Sequence, residues 1–365
     1  MNRNRFALAL AFVVLFTSLV RAEATSRKTE YLILITLDGV RTQELFGGAD
    51  ATLINKQNGG VRQVDEINRR FMRQVAQDRR EALMPFMWKT IAKEGQIFGD
   101  REKESAVTIT NRRYFSYPGY NEILAGFADP KIDSNDKKYN ENKTVLEFLH
   151  EKDRFKGKVE AYACWDVFPF IINTKRSGIP VTSAFDPPYA KPTTERQKLI
   201  NATAAAMPPI WGGVSLDVFT FYPALDAIGQ GRVSVLYVAF GETDDWAHDR
   251  RYDCYLNAAH QADNYIAQLW AAVQANEKYR NKTSLLITTD HGRGDNPANW
   301  ITHGDKARTS EFGWIAVLGP DTPALGVREK TPVTQSQFAA TAAMLVGEDF
   351  NRVDERIAKP LDVVK

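Results

Sequence analysis

Tyr31-Leu32-Ile33-Leu34-Ile35-Thr36-Leu37-Asp38-Gly39 is a run of apolar and β-branched residues that stops on a carboxylate and a turn. Two later runs have the same form. Val233 to Phe240 leads into Gly241-Glu242-Thr243-Asp244-Asp245-Trp246-Ala247-His248, and Ser284 to Thr288 leads into Thr289-Asp290-His291-Gly292-Arg293-Gly294. Apolar runs without polar alternation read as strands buried on both faces, the habit of parallel sheets. Helical spacing fills the intervals: Arg79 to Glu94, closing at Gly95, and Tyr255 to Ala275. Trp314 to Leu318 reads as one more strand and Ser336 to Leu345 as a closing helix. The alternation predicts an α/β fold, a doubly wound, mostly parallel sheet with helices on both faces. The span from about Pro130 to Arg232 scatters Pro, Gly and aromatics, and is expected to add sheet elements and a cap-like insertion.

The chain has 365 residues, 44% hydrophobic and 25% charged, which excludes a disordered or collagen-like chain. Its 47 basic and 45 acidic side chains leave +2, so no basic stripe argues for a nucleic acid scaffold. Arg3 and Arg5 precede an apolar stretch from Phe6 to Val20, and Val20-Arg21-Ala22 offers a small-residue cleavage site. That layout predicts a signal peptide over residues 1–22 and a single α/β domain over 23–365. Cleavage would remove Arg3, Arg5 and Arg21, taking the charge from +2 to −1. The expectation is a periplasmic or secreted protein with no stable membrane insertion after signal removal. In an oxidising compartment Cys164 and Cys254 could form a bridge or remain two thiols, and the sequence leaves both open.

In open α/β sheets ligands gather beyond the carboxyl ends of the strands. Three of the five histidines, His248, His291 and His303, fall in such segments beside aspartates. Asp244 and His248 stand four apart, so one helical turn brings both to one face. Taken singly, an Asp after a strand is more often a helix cap, and a lone His a satisfied polar residue, the reading given to His150 and His260. Asp245 and Asp249 read as solvated neighbours, with Asp245 the alternative to Asp244 as the ligand paired with His248. Together the Asp and His residues read as a site for Zn²⁺ or Mn²⁺.

Ser116 opens another helical stretch, with Pro118 just inside it and Gly126 at its stop. A helix N-terminus suits an anion, and a serine there beside metal ions is a candidate nucleophile. The plain alternative is that Ser116 caps the helix.

With these pieces in order, the chain resembles the alkaline phosphatase superfamily, and within it the type I phosphodiesterase/nucleotide pyrophosphatase branch. The resemblance rests on Asp38, Ser116-Tyr117-Pro118, Asp244 with His248, Asp290-His291-Gly292 and His303-Gly304. It implies two divalent ions, Zn or alternatively Mn, one held by Asp244, His248 and His303, the other by Asp38, Asp290, His291 and the oxygen of Ser116. It further implies attack by Ser116 on phosphorus, a phospho-serine that is then hydrolysed, and Asn135 as a phosphoryl-binding residue. The implied activity is hydrolysis of a small-molecule phosphate ester, a phosphodiester or nucleotide pyrophosphate. A phosphomonoesterase and a sulfatase are alternatives within the superfamily. A catalytically silent binding protein is the alternative outside it. Ser116-Tyr117-Pro118-Gly119-Tyr120 partly matches the sulfatase turn, but that pattern needs Arg where Tyr120 stands.

Overall fold

The computed structural model describes residues 27–364, so the signal peptide expected over residues 1–22 lies outside the described residues. Its strands are β1 (Tyr31–Leu37), β2 (Gln96–Phe98), β3 (Val107–Thr108), β4 (Val159–Ala163), β5 (Val181–Ser183) and β6 (Val235–Phe240). They continue with β7 (Thr283–Thr289), β8 (Phe312–Gly313), β9 (Ile315–Leu318), β10 (Gly326–Val327) and β11 (Val333–Thr334). Eight of them form one sheet in the order β10-β2-β9-β7-β1-β6-β4-β5, and β11-β3-β8 form a small second sheet. β1 lies between β6 and β7 and is parallel to both, while β9 runs antiparallel to its neighbours β7 and β2. The fold is α/β with a mostly parallel sheet.

Side-chain alternation divides the interior into two layers. Ile33, Ile35 and Leu37 of β1 and Leu236, Val238 and Phe240 of β6 face one core, which the long helix Tyr252–Ala275 covers through Leu256, Ile266 and Leu269. Leu32 and Leu34, with Val235, Tyr237 and Ala239, face the other, beneath the helices Ser116–Ala125 and Gln337–Leu345. Burial on both faces is why these strands carry no polar alternation. The central strands leave their carboxyl ends, and so Asp38, Gly241 and Asp290, on a single rim.

Two expected elements differ. The helix expected over Arg79 to Glu94 is broken: Ala76–Leu83 ends at Met84, and the chain resumes as a wide turn over Met87–Ile91 and a short helix Ala92–Glu94. Pro85 explains the break, since it disfavours the helical conformation at the residue before it, and Met84 has φ −129° and ψ 72°. Asp263 then accepts the backbone N–H groups of Phe86 and Met87 at 2.7 and 2.9 Å, recapping the chain. Within residues 130–232, β4 and β5 extend the main sheet. The segment from Ala184 to Leu216, including the helix Glu195–Ala206, stands beyond their carboxyl ends. Cys164 and Cys254 are both free thiols. Among the described residues no helix is long and apolar enough to cross a membrane.

Candidate functional site

Asp38 follows β1, and its two oxygens have different surroundings. Oδ2 accepts the Tyr120 hydroxyl at 2.9 Å, whereas Oδ1 is buried with no protein donor among the described residues, 3.2 Å from His291 Nε2. Asp290 follows β7; its Oδ1 accepts the N–H groups of Gly39 and His291 at 3.0 and 2.9 Å. Its Oδ2 has no donor and lies 3.4 Å from His291 Nε2. His291 Nδ1 sits 3.0 Å from the Gly292 carbonyl, which fixes the proton on Nδ1 and leaves the Nε2 lone pair without a partner. A buried polar group left unpaired costs about 1–3 kcal/mol. Three of them converge here, each an oxygen or imidazole nitrogen suited to a divalent cation, so the residues present fit a metal.

A second group adjoins the first. The helix Glu242–His248 places Asp244 and His248 on one face, with His248 Nε2 3.1 Å from Asp244 Oδ2. His303 Nε2 faces His248 Nε2 at 3.1 Å, and its Nδ1 is held 3.0 Å from the Tyr114 carbonyl. Ligand atoms of Asp244, His248 and His303 all lie within 4.8 Å of one another, as do those of Asp38, Asp244 and His291. Asp244 is therefore common to both groups, and Asp290 approaches the group of Asp38 and His291 through Oδ2. Gly39 makes this convergence possible. It has φ +62°, and a Cβ there would stand 2.8 Å from Asp244 Oδ1 and 3.3 Å from His291 Cε1.

Ser116 is the first residue of the helix Ser116–Ala125, one position inside the extended cap residue Phe115, so its hydroxyl makes no cap bond. The expectation of Ser116 at the cap is thus off by one residue. Gly119 brings the first turn onto Asp290, where a Cβ would be 2.5 Å from the Asp290 carbonyl oxygen. Asn135 reaches the same helix end, its Oδ1 accepting the Tyr117 N–H at 3.0 Å. The helix stops at Gly126 with φ +83°. Buried Glu122 anchors the preceding loop by accepting from Thr110 N, Asn111 N and Ser336 Oγ at 3.0, 3.0 and 2.7 Å.

Fully buried Arg293 donates to Asp244 Oδ1 and is itself held by the carbonyls of Trp300 and Ile301 at 3.0 and 2.5 Å. Burial works against ionising Asp244, yet the Arg293 guanidinium and the His248 ring beside it hold its carboxyl well below the usual range. Asp38 and Asp290 go the other way: burial, then the neighbouring carboxylates, push both well up. Burial lowers His291 to about 4 and takes His303 down as well, so both imidazoles are neutral at pH 7, the form that ligates. Asp245 is half-buried rather than a solvated neighbour, and that burial, followed by repulsion from Asp244 and Asp38, raises it to about 8. Asp249 accepts the Trp211 indole N–H at 2.8 Å. His260 Nδ1 lies 2.8 Å from the Leu83 carbonyl and serves structure.

Two expectations follow. Ligation needs ionised carboxylates, and burial pushes Asp38 and Asp290 well up in the metal-free chain, so metal binding should release protons from them increasingly as pH falls. Affinity should then rise with pH until those raised values are passed. Calorimetry in buffers of different ionisation enthalpy checks the release; a buffer-independent heat would contradict it. Tyr120→Phe removes the donor that occupies Asp38 Oδ2 and frees the carboxylate to turn. Losing such an orienting partner should weaken metal binding by roughly 10–100-fold, read by chelator competition, with the fold intact.

Sequence reasoning gave Tyr120, Glu122 and Arg293 no role in holding the site together. Tyr120 carried a signal, since it stands one helical turn beyond Ser116. So did Arg293, two residues past His291. Glu122 carried none, because its partners come from distant segments.

Residues 220–339 match the model of the Metalloenzyme superfamily. Solved structures with this fold include a variant of the alkaline phosphatase PafA, 11% identical at TM-score 0.57 over 93% of this chain and 99% of that one. A protein in the alkaline phosphatase superfamily from Vibrio parahaemolyticus is 13% identical at TM-score 0.50, over 88% and 67%. By fold, the chain is similar to proteins of the alkaline phosphatase superfamily. A 2-O GAG sulfatase has a similar fold, at 11% identity and TM-score 0.52 over 92% and 72%. No curated protein matches the chain by sequence.

Proposed function

We propose that the chain is an exported, metal-dependent hydrolase of phosphate esters, acting on phosphodiester or nucleotide pyrophosphate bonds with Ser116 as nucleophile. One observation carries this reading. Asp38 Oδ1, Asp290 Oδ2 and His291 Nε2 are buried and unpaired next to the Asp244, His248 and His303 group, with the Ser116 helix resting on Asp290. Asp38, Asp290 and His291, together with Ser116 Oγ and with Asp244 between the groups, would hold one ion, and Asp244, His248 and His303 the other. Zinc suits these oxygen and nitrogen donors, and manganese is the second choice. Bound ions would supply positive charge against phosphate oxygens and lower the pKa of an adjacent alcohol or water.

The chain's own residues account for the rest. Ser116 Oγ forms a bond to phosphorus as the bond to the substrate alcohol breaks, and that alcohol takes up the proton Ser116 gives away. Water then cleaves the phospho-serine, restoring the hydroxyl and releasing phosphate or a phosphomonoester. The helix N-terminus points its dipole at the anion, with the Ser116 N–H as the donor left over, since Asn135 takes the Tyr117 N–H and Pro118 has none. Asn135, with Oδ1 engaged by the Tyr117 N–H, offers its Nδ2 hydrogens to a phosphoryl oxygen.

Sulfate esters are the competing substrates. Tyr120 argues against them, because the position where the sulfatase turn needs Arg is spent on holding Asp38. Purified protein assayed on aryl phosphate monoesters, aryl phosphate diesters and aryl sulfates, with and without chelator, tests the reading. Phosphodiester cleavage abolished by chelator is expected. Chelator-resistant turnover, or turnover of sulfate alone, would overturn it.

A further inference from the structure

A cavity of about 590 Å³ opens beyond the carboxyl ends of β4 and β5, on the rim of the sheet that carries Asp38, Asp244 and Asp290. Phe185 stands two residues past β5, and Val214 in the lining pairs with Trp165, two residues past β4. The cavity is tied to the metal-ligand helix: Trp211 stacks edge-on against Trp246 at 4.7 Å, and its indole N–H reaches Asp249 at 2.8 Å. Strands lie about 4.8 Å apart, so β5 stands two spacings, roughly 10 Å, from β6 and its Asp244 segment.

The lining selects its occupant. Phe185, Met207 and Ile210 are 53%, 37% and 47% exposed, a cost a chain rarely bears on large apolar side chains gathered at one cavity unless something covers them. The polar side chains around them are already engaged. Asn201 bonds Tyr189 through both ends of its amide, at 3.0 and 2.7 Å, and Trp211 is held by Asp249. Among the described residues no Lys, Arg or His lines the cavity, and Asp186, the one charged residue there, would repel phosphate. A second phosphate group is thereby excluded. A nucleobase is disfavoured too, because its polar edges would be buried without partners. The size is that of a small-molecule pocket.

We infer that this cavity binds an extended apolar alcohol group of the substrate, so that the ester cleaved at Ser116 carries a long alkyl or comparable hydrocarbon chain rather than a nucleoside. The inference rests on the phosphate ester reading above and narrows its substrate class.

Nitrophenyl phosphodiesters carrying methyl, hexyl or decyl as the second alcohol test it on the metal-loaded full chain. Each buried methylene is worth roughly fourfold, so burying even about three of the methylenes that decyl adds to methyl should raise kcat/KM at least about thirtyfold. Met207→Asp and Ile210→Asp, both at the exposed mouth, should flatten that series and leave the methyl ester within about twofold of wild type. Independently, 1-decanol should give a saturable change in tryptophan fluorescence that Met207→Asp abolishes. Turnover with a flat chain-length series and no decanol binding overturns the cavity and spares the phosphate reading. Saturable decanol binding with no phosphate ester cleaved overturns that reading and leaves an apolar binding site.

Discussion

Ser116→Ala is expected to lose turnover by at least about a thousandfold, and up to the order of a millionfold when nucleophile and surroundings act as a unit. The reason lies in what the hydroxyl does not do. Ser116 is nearly buried, yet it supplies no cap bond to its helix, since Phe115 occupies the cap position. Removing one oxygen should cost the fold little, as Gly119, Tyr120 and Glu122 hold the helix by contacts the substitution leaves alone. Metal content should also stay close to wild type, because six other proposed ligands remain: Asp38, Asp244, His248, Asp290, His291 and His303. Elemental analysis beside single-turnover kinetics separates the outcomes. An inactive, metal-replete, folded variant is expected, and mass mapping of quenched wild type should find phosphate on Ser116 alone. Undiminished turnover in the variant would end the nucleophile assignment.

The parts legible in sequence were those set by local chemistry. β1 matches its expected bounds, and β6 and β7 differ by one or two residues, because strands buried on both faces leave an uninterrupted apolar record. The candidate ligands were legible because the carboxyl ends of three such strands carry them. Other features depend on distant segments and leave no local trace. Asp244 joins both ligand groups only because Gly39, without a side chain, lets β1 and the Glu242–His248 helix approach closely. The break at Pro85 was readable from the proline itself, but a periodic apolar pattern running through it concealed the stop. The cavity beyond β5 is assembled from segments before and after the Glu195–Ala206 helix, and periodicity says nothing about how such loops meet.

Asp244→Ala should have the largest combined effect on metal and stability, and the two can be separated. Asp244 contributes to both ligand groups, so its loss is expected to lower occupancy of both ions, whereas His303→Ala should lower one and spare the group of Asp38, Asp290 and His291. Asp244 is also the carboxylate partner of Arg293, whose side chain is fully buried. Truncating one member of a buried ion pair strands the other, a cost of about 3–5 kcal/mol, because the remaining charge is desolvated without compensation. Denaturant midpoints of the metal-free proteins isolate that penalty from any stabilisation by bound ions. Arg293→Met added to Asp244→Ala removes the stranded charge and keeps much of the side-chain volume, so most of the lost stability should return. Metal binding should not return with it, since the ligand oxygen is still missing. Recovered stability with absent metal would assign Asp244 both roles. Full occupancy of two ions in Asp244→Ala would refute the shared-ligand geometry, and an unchanged midpoint would show that the Arg293 charge is compensated elsewhere.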